Sequence, residues 1–218
     1  MSGVRPLRAR CRWLFALLAL AAALAVACPA ALAKGRDDWQ QPDRVMADMN
    51  FRPGAAVADI GCGKGYFTFR IARAVGEQGK VFAVDIDESA LAAVRKRAQR
   101  ENVRNIEIVH SQPTDTTLKP ACADAALLCN VLHHVPQEQR QELVRSIARS
   151  LKPGGYLFVI DLRKVHNPPF HTYDQLVARE EVLNLAKNAG LELDAEWYYL
   201  SYQYFLRFRK PEKSSAEQ

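Results

Sequence analysis

From Asp59 to Gly65 the chain reads Asp-Ile-Gly-Cys-Gly-Lys-Gly, and a second acid, Asp85, closes an apolar run twenty residues after Gly65. Glycines in this spacing let the backbone turn tightly and let a ligand lie against the main chain. A dinucleotide fingerprint needs G-x-G-x-x-G/A. Here Gly65 comes one residue early, and bulky Tyr66 stands where close helix packing needs a small side chain. A pyrophosphate is therefore disfavoured, and no Lys-Ser/Thr pair completes a P-loop. At the carboxyl end of the second strand of a doubly wound sheet, a carboxylate reaches into the crevice and can accept from both hydroxyls of a ribose. The glycine turn and Asp85 together point to a nucleoside, with Asp87 a weaker candidate than Asp85.

The elements that must position these residues follow from hydropathy. Apolar runs bounded by turn signals alternate with stretches of helical period, the pattern of βαβ units and a parallel sheet. Strands are expected at Ala56–Ile60, Val81–Asp85, Ile106–Val109, Ala125–Cys129 and Tyr156–Ile160. One helix carries Phe67, Ile71 and Val75 on a single face, and Gly76 to Gly79 closes it. A second holds Leu91, Val94 and Ala98 inward with Ser89 as its N-cap. A third, Gln137–Ser150, buries Leu143, Ile147 and Leu151 and is ended by Pro153-Gly154-Gly155. A fourth runs from about Tyr173 to Asn188, stopped by Gly190. Two last strands, near Leu191–Trp197 and Tyr202–Arg209, are too close together for a crossover helix and must pair as an antiparallel hairpin. No internal repeat interrupts this order.

Four segments resemble, in order and spacing, the motifs of class I S-adenosylmethionine-dependent methyltransferases. They are Val57 to Thr68 around the glycine turn, Val84-Asp85-Ile86-Asp87, Leu128 to Val135 (Leu-Cys-Asn-Val-Leu-His-His-Val), and Leu151-Lys152-Pro153-Gly154-Gly155. The resemblance covers about residues 39–209 and implies an α/β fold: a doubly wound, Rossmann-like, seven-stranded sheet, mostly parallel with a C-terminal antiparallel hairpin. It implies that S-adenosyl-L-methionine is the cofactor, with Gly61, Gly63 and Gly65 against its methionine part and ribose. Asp59 would orient the loop or hold the amino group, Asp85 would take the ribose hydroxyls, Ile86 would lie on the adenine, and Asn130 would line the methionyl end. Many relatives place an Asp after the third strand to accept from the adenine amino group. This chain has His110-Ser111-Gln112-Pro113 there, so Gln112 is the substitute acceptor.

Methyl transfer from a sulfonium is an in-line displacement, so much of the catalysis is alignment in a shielded pocket. A base is needed only where the acceptor loses a proton, and His133 and His134, just after the fourth strand, are the candidates. Asp161 and Arg163 end the fifth strand and read as a local ion pair. Tyr198, Tyr199, Tyr202, Tyr204 and Phe205 read as sheet and core aromatics. Arg95, Lys96, Arg97, Arg100 and Arg104 read as the solvated face of a helix. The expected acceptor is a small or lipid-like molecule. The rival readings are an NAD-dependent oxidoreductase, which the glycine spacing opposes, and a domain that binds the cofactor without turnover.

The chain has 218 residues, the length of one domain, and 30 basic against 24 acidic residues give it a net charge of +6. Four of those charges, Arg5, Arg8, Arg10 and Arg12, lie in residues 1–33, which contain no acid, and the remaining 26 basic and 24 acidic residues leave +2. A near-neutral remainder without a basic stripe interleaved with aromatics argues against a nucleic-acid partner. After Arg12 an uncharged run extends to Ala33 and ends in Ala31-Leu32-Ala33. A basic n-region, an apolar h-region and an A-x-A site are the parts of a secretory signal peptide, cut before Lys34. Uncleaved, the 21 residues from Trp13 to Ala33 are long enough to anchor the chain in a membrane. Ala25-Val26-Ala27-Cys28 has part of a lipoprotein box, and an organelle transit peptide would share the acid-free arginines. The expected division is a leader at 1–33, a methyltransferase domain at 34–210 and a disordered tail at 211–218, the product being periplasmic or secreted, or else membrane-anchored. Cys62, Cys122 and Cys129 have no C-x-x-C spacing, and no metal site is expected.

Overall fold

A computed structural model describes residues 35–164 and 176–212. The expected leader, the expected helix start near Tyr173 and the end of the tail lie outside the described residues. Two short helices come first, α1 (Arg36–Gln40) and α2 (Pro42–Met49). They are followed by β1 (Ala56–Ile60), α3 (Thr68–Val75), β2 (Lys80–Asp85), α4 (Glu88–Arg100), β3 (Ile106–His110) and β4 (Ala123–Cys129). After a 3-10 turn at Leu132–His134 come α5 (Gln137–Ser150), β5 (Leu151–Leu162), α6 (Arg179–Asn188), β6 (Glu192–Trp197) and β7 (Gln203–Arg209).

The seven strands form one sheet in the order β3-β2-β1-β4-β5-β7-β6. The first five are parallel, and β7 runs antiparallel to both β5 and β6, so the expected hairpin closes the sheet. Strand period two sorts the apolar side chains into two layers. Ala58 and Ile60 of β1 join Leu143, Val144 and Ile147 of α5 and Val182 and Leu185 of α6 in one core. Val57 joins Val45 and Met49 of α2 and Ile71 and Val75 of α3 in the other. Leu91 and Val94 of α4 pack on Ala83 of β2, which faces the same way as Val57 through the β1–β2 register. The described residues from Arg36 onward form one compact unit, and no helix among them is long and apolar enough to cross a membrane.

Three expectations are corrected, and one pair of elements was not expected. α4 is capped by Asp87, whose carboxylate accepts from the Ser89 amide at 2.8 Å, so Ser89 sits inside the first turn and is not the cap. α5 spans Gln137–Ser150 as expected, but Leu151 does not pack as part of it: it opens β5 with extended backbone opposite Ala123, and the strand runs on through Pro153-Gly154-Gly155, expected to end the helix. It can do so because Gly154 and Gly155 exchange backbone bonds with Lys210. α6 begins at Arg179, so the expected helix does not extend through Leu176 and Val177, which precede it as buried, non-helical residues. The pair α1 and α2 has no counterpart in the reading of the sequence. Pro42 starts α2, and Asn50 ends it in the left-handed region, its amide returning to Met46.

Phe205 on β7 is fully buried, with Trp197 stacked at 4.3 Å and Phe158 at 6.2 Å. Phe205→Ala is expected to cost roughly 3–5 kcal/mol in urea unfolding. Leu193→Ala, on the half-exposed edge strand, should cost about 0.5 kcal/mol or less.

Candidate functional site

The strand order places the topological switch point between β1 and β4, because α3 and α4 cover one face of the sheet and α5 the other. In open α/β sheets that crevice, beyond the carboxyl ends of the strands, is where ligands bind. A cleft of about 290 Å³ occupies it. Of the residues singled out in the sequence, Gly61, Asp85, Ile86, Gln112, Asn130 and His134 line it, together with Ile60, Ser111, Pro113, Val131, Val135 and Leu143. Asp59, Gly63, Gly65 and His133 do not line it. A wider hollow of about 1000 Å³ lies between Gly76 and Asn105 at the other end of the sheet, remote from the glycine turn.

The turn is built from the backbone outward. The amides of Gly61 and Cys62 both donate to the Val84 carbonyl, at 2.8 and 3.0 Å, which folds the end of β1 over β2. Gly61 has φ +67°, and a Cβ there would stand 2.3 Å from Val131 Cγ2, so only glycine lets the segment after β4 approach this closely. The Gly63 amide donates to Asp85 Oδ2 at 2.7 Å, and the Asp87 amide donates to Oδ1 at 2.9 Å. Both carboxylate oxygens are thus held from the protein side, with acceptor capacity left toward the cleft. Ile86 is 58% exposed beside it, an apolar side chain displayed at the rim.

Asp59 lies below the turn, buried at 3% exposure, with Thr68 Oγ1 donating to its Oδ2 at 2.6 Å. Burial raises its carboxyl to about 6, against the opposing effects of the Thr68 bond and the nearby Arg36 guanidinium. Burial likewise raises the Cys62 and Cys129 thiols far above their usual range, which keeps them protonated and poor nucleophiles. Among the described residues no cluster of His, Cys, Asp and Glu is arranged to hold a metal ion.

The two histidines part company. His134 is exposed on the cleft wall, whereas the His133 side chain is 2% exposed, its Nδ1 2.5 Å from Asp161 Oδ1. A carboxylate acceptor places the proton on Nδ1. Their rings lie 4.0 Å apart. The expected ion pair of Asp161 with Arg163 is not formed. Asp161, fully buried, faces His133, while Arg163, beyond the end of β5, donates to the Gln203 carbonyl at 2.7 Å. Gln40 and Gln203, both fully buried, bond to the side chain of Asn130 and were not singled out in the sequence. No local signal marks them, because they lie 163 residues apart and meet only in the folded chain.

Residues 57–155 match the family described as a methyltransferase domain. A 2-phytyl-1,4-naphtoquinone methyltransferase from Nostoc sp. is 30% identical over 69% of this chain and 64% of its own length. A demethylmenaquinone methyltransferase from Bacillus mycoides is 27% identical over 56% of this chain and 50% of its own. The chain thus spans about half to two thirds of the length of these curated relatives. A solved structure of a SAM-dependent methyltransferase from Aquifex aeolicus has the same fold, with a TM-score of 0.74 at 22% identity over 80% of this chain and 92% of that one. The seven-stranded order and the cleft at its switch point agree with these similarities, and residues 57–155 carry the matched methyltransferase domain.

Asp59 gives the first test of the site. A carboxyl raised above its unfolded value stabilises the fold fully below about pH 4, and that contribution is lost as pH rises through about 6. Thr68→Val removes a donor to the charged form. The Asp59 midpoint, followed by carboxyl 13C shift, should move above 6, and the loss of stability with rising pH should steepen.

Proposed function

We propose that this protein transfers the methyl group of S-adenosyl-L-methionine to a small, lipid-like acceptor. The observation that carries this reading is the Asp85 carboxylate, fixed by the Gly63 amide at 2.7 Å at the mouth of a cleft opened by a glycine turn. The residues present fit the cofactor. A bare backbone at Gly61 leaves room that a Cβ would fill, Asp85 has free acceptor capacity for two ribose hydroxyls, and the exposed face of Ile86 suits an adenine ring. Gln112 would accept from the adenine amino group, and Asn130 would meet the methionyl end, with Asp59 supplying negative charge beneath it. A nicotinamide-dependent oxidoreductase is not favoured.

When bound, the sulfonium supplies an electrophilic methyl group. The chain's contribution is to hold the two reactants in line and keep water out. Where the acceptor must lose a proton as it attacks, His134 is the residue on the cleft wall able to take it, and the buried His133–Asp161 pair backs its ring. The name of the Nostoc relative makes 1,4-naphthoquinones with a phytyl tail the first acceptors to assay. The leader supports export or membrane anchoring, which N-terminal sequencing from fractionated cells checks: an intact Met1 in a soluble cytosolic fraction would rule it out.

S-adenosylhomocysteine should raise the melting temperature of the protein and NAD should not. Stabilisation by NAD alone would sink the proposal, and failure to move labelled methyl into any acceptor would favour a binding domain without turnover. Asp85→Asn should weaken S-adenosylhomocysteine binding by about 10–100-fold by calorimetry, the scale of lost bonds to a charged acceptor. Wild-type affinity should fall about tenfold per pH unit below 6 as Asp59 is neutralised. His134→Ala should lower kcat by about a hundredfold with little change in the KM of the cofactor.

A further inference from the structure

The side chains of Gln40, Gln203 and Asn130 close a ring of hydrogen bonds. Gln40 Nε2 donates to Gln203 Oε1 at 2.7 Å, Gln203 Nε2 donates to Asn130 Oδ1 at 2.5 Å, and Asn130 Nδ2 donates to Gln40 Oε1 at 3.2 Å. The members come from α1, from the first residue of β7 and from the residue after β4. Gln40 and Gln203 are sealed at 0% exposure, and only Asn130 reaches the cleft. Asn130 also holds φ +58° in the left-handed region, its amide bonded to the Ile160 carbonyl.

A ring of three amides has two senses. Turning all three over gives the same number of bonds and would present the opposite edge of Asn130 to the cleft. The degeneracy is broken at Gln40, because the Arg36 guanidinium, which can only donate, approaches Gln40 Oε1 at 3.5 Å. With that oxygen fixed as an acceptor, Asn130 must turn its Nδ2 toward Gln40 and its Oδ1 toward Gln203. We propose that Gln40 and Gln203 are positioning residues which set the polarity of the Asn130 amide, and so decide whether the cleft wall offers a donor or an acceptor to the amino-acid end of the bound nucleoside. The inference rests on the proposed cofactor reading of this cleft.

Two isosteric variants separate positioning from mere support. Gln203→Glu places a carboxylate where Asn130 Oδ1 needs a donor. The Asn130 amide then turns over to donate to it, and one of the three ring bonds is lost. Gln40→Glu also loses one bond and adds the same charge, but its carboxylate still accepts from Asn130 Nδ2, so Asn130 keeps its sense while Gln203 turns instead. A purely structural ring predicts equal damage. Positioning predicts that, at pH 8.5, Gln203→Glu weakens S-adenosylhomocysteine binding at least tenfold more than Gln40→Glu does, although the two melt at similar temperatures. Equal losses in the two variants, or no loss in Gln203→Glu, would overturn the inference. A wild-type protein that fails to bind S-adenosylhomocysteine at all would overturn the cofactor reading itself. In a folded Gln203→Glu variant the side-chain 15N–H2 signal of Asn130 should also move, and it should stay near its wild-type position in Gln40→Glu.

Discussion

The cleft depends on β1 being paired on both sides. Its parallel bonds to β2 and β4 fix the two neighbours in register, and the connections leaving those neighbours lie on opposite faces of the sheet. No helix can then cover the point where the two connections diverge. The residues that end the three strands, Ile60, Asp85 and Cys129, therefore deliver their following loops into one opening. Gly61, Ile86 and Asn130 converge there for this reason, although up to 69 residues separate them along the chain.

Within that frame the site mixes groups the chain holds easily with one it holds at a cost. Asp85 accepts two backbone amides at the edge of solvent, so the chain holds it with little loss of hydration. Asp59 is deep in the same turn with Thr68 as its hydrogen-bonding partner, and burial works against its charge. A positively charged ligand end would relieve that opposition.

Sequence alone made the sheet legible because each strand is a local apolar run and each turn has its own glycine or proline. β1 begins and ends at the expected residues, and the C-terminal hairpin follows from a connection too short for a crossover. The loops around the cleft were legible for the same reason, being adjacent in sequence to strands that could be read. What stayed hidden was long-range. The partner of His133 is 28 residues away on another strand, and the Gln40–Gln203 contact spans 163 residues. Amide and carboxylate side chains carry no pattern that announces a partner at such distances. Boundaries failed where tertiary bonds override local preference, as when Lys210 extends β5 back through Gly154 and Gly155.

The antiparallel ending has a consequence for how molecules of this chain meet one another. β6 is the edge of the described sheet, and an open edge is a template to which another strand can add. Its sequence, Glu-Leu-Asp-Ala-Glu-Trp, sets an acid at every second position, with Asp194 bonded to Arg207 and Glu196 to Arg179. Another copy adding edge to edge would bring its own row of acids against these. The ending that completes the fold thus carries along its edge charged side chains of the kind that discourage edge-to-edge pairing.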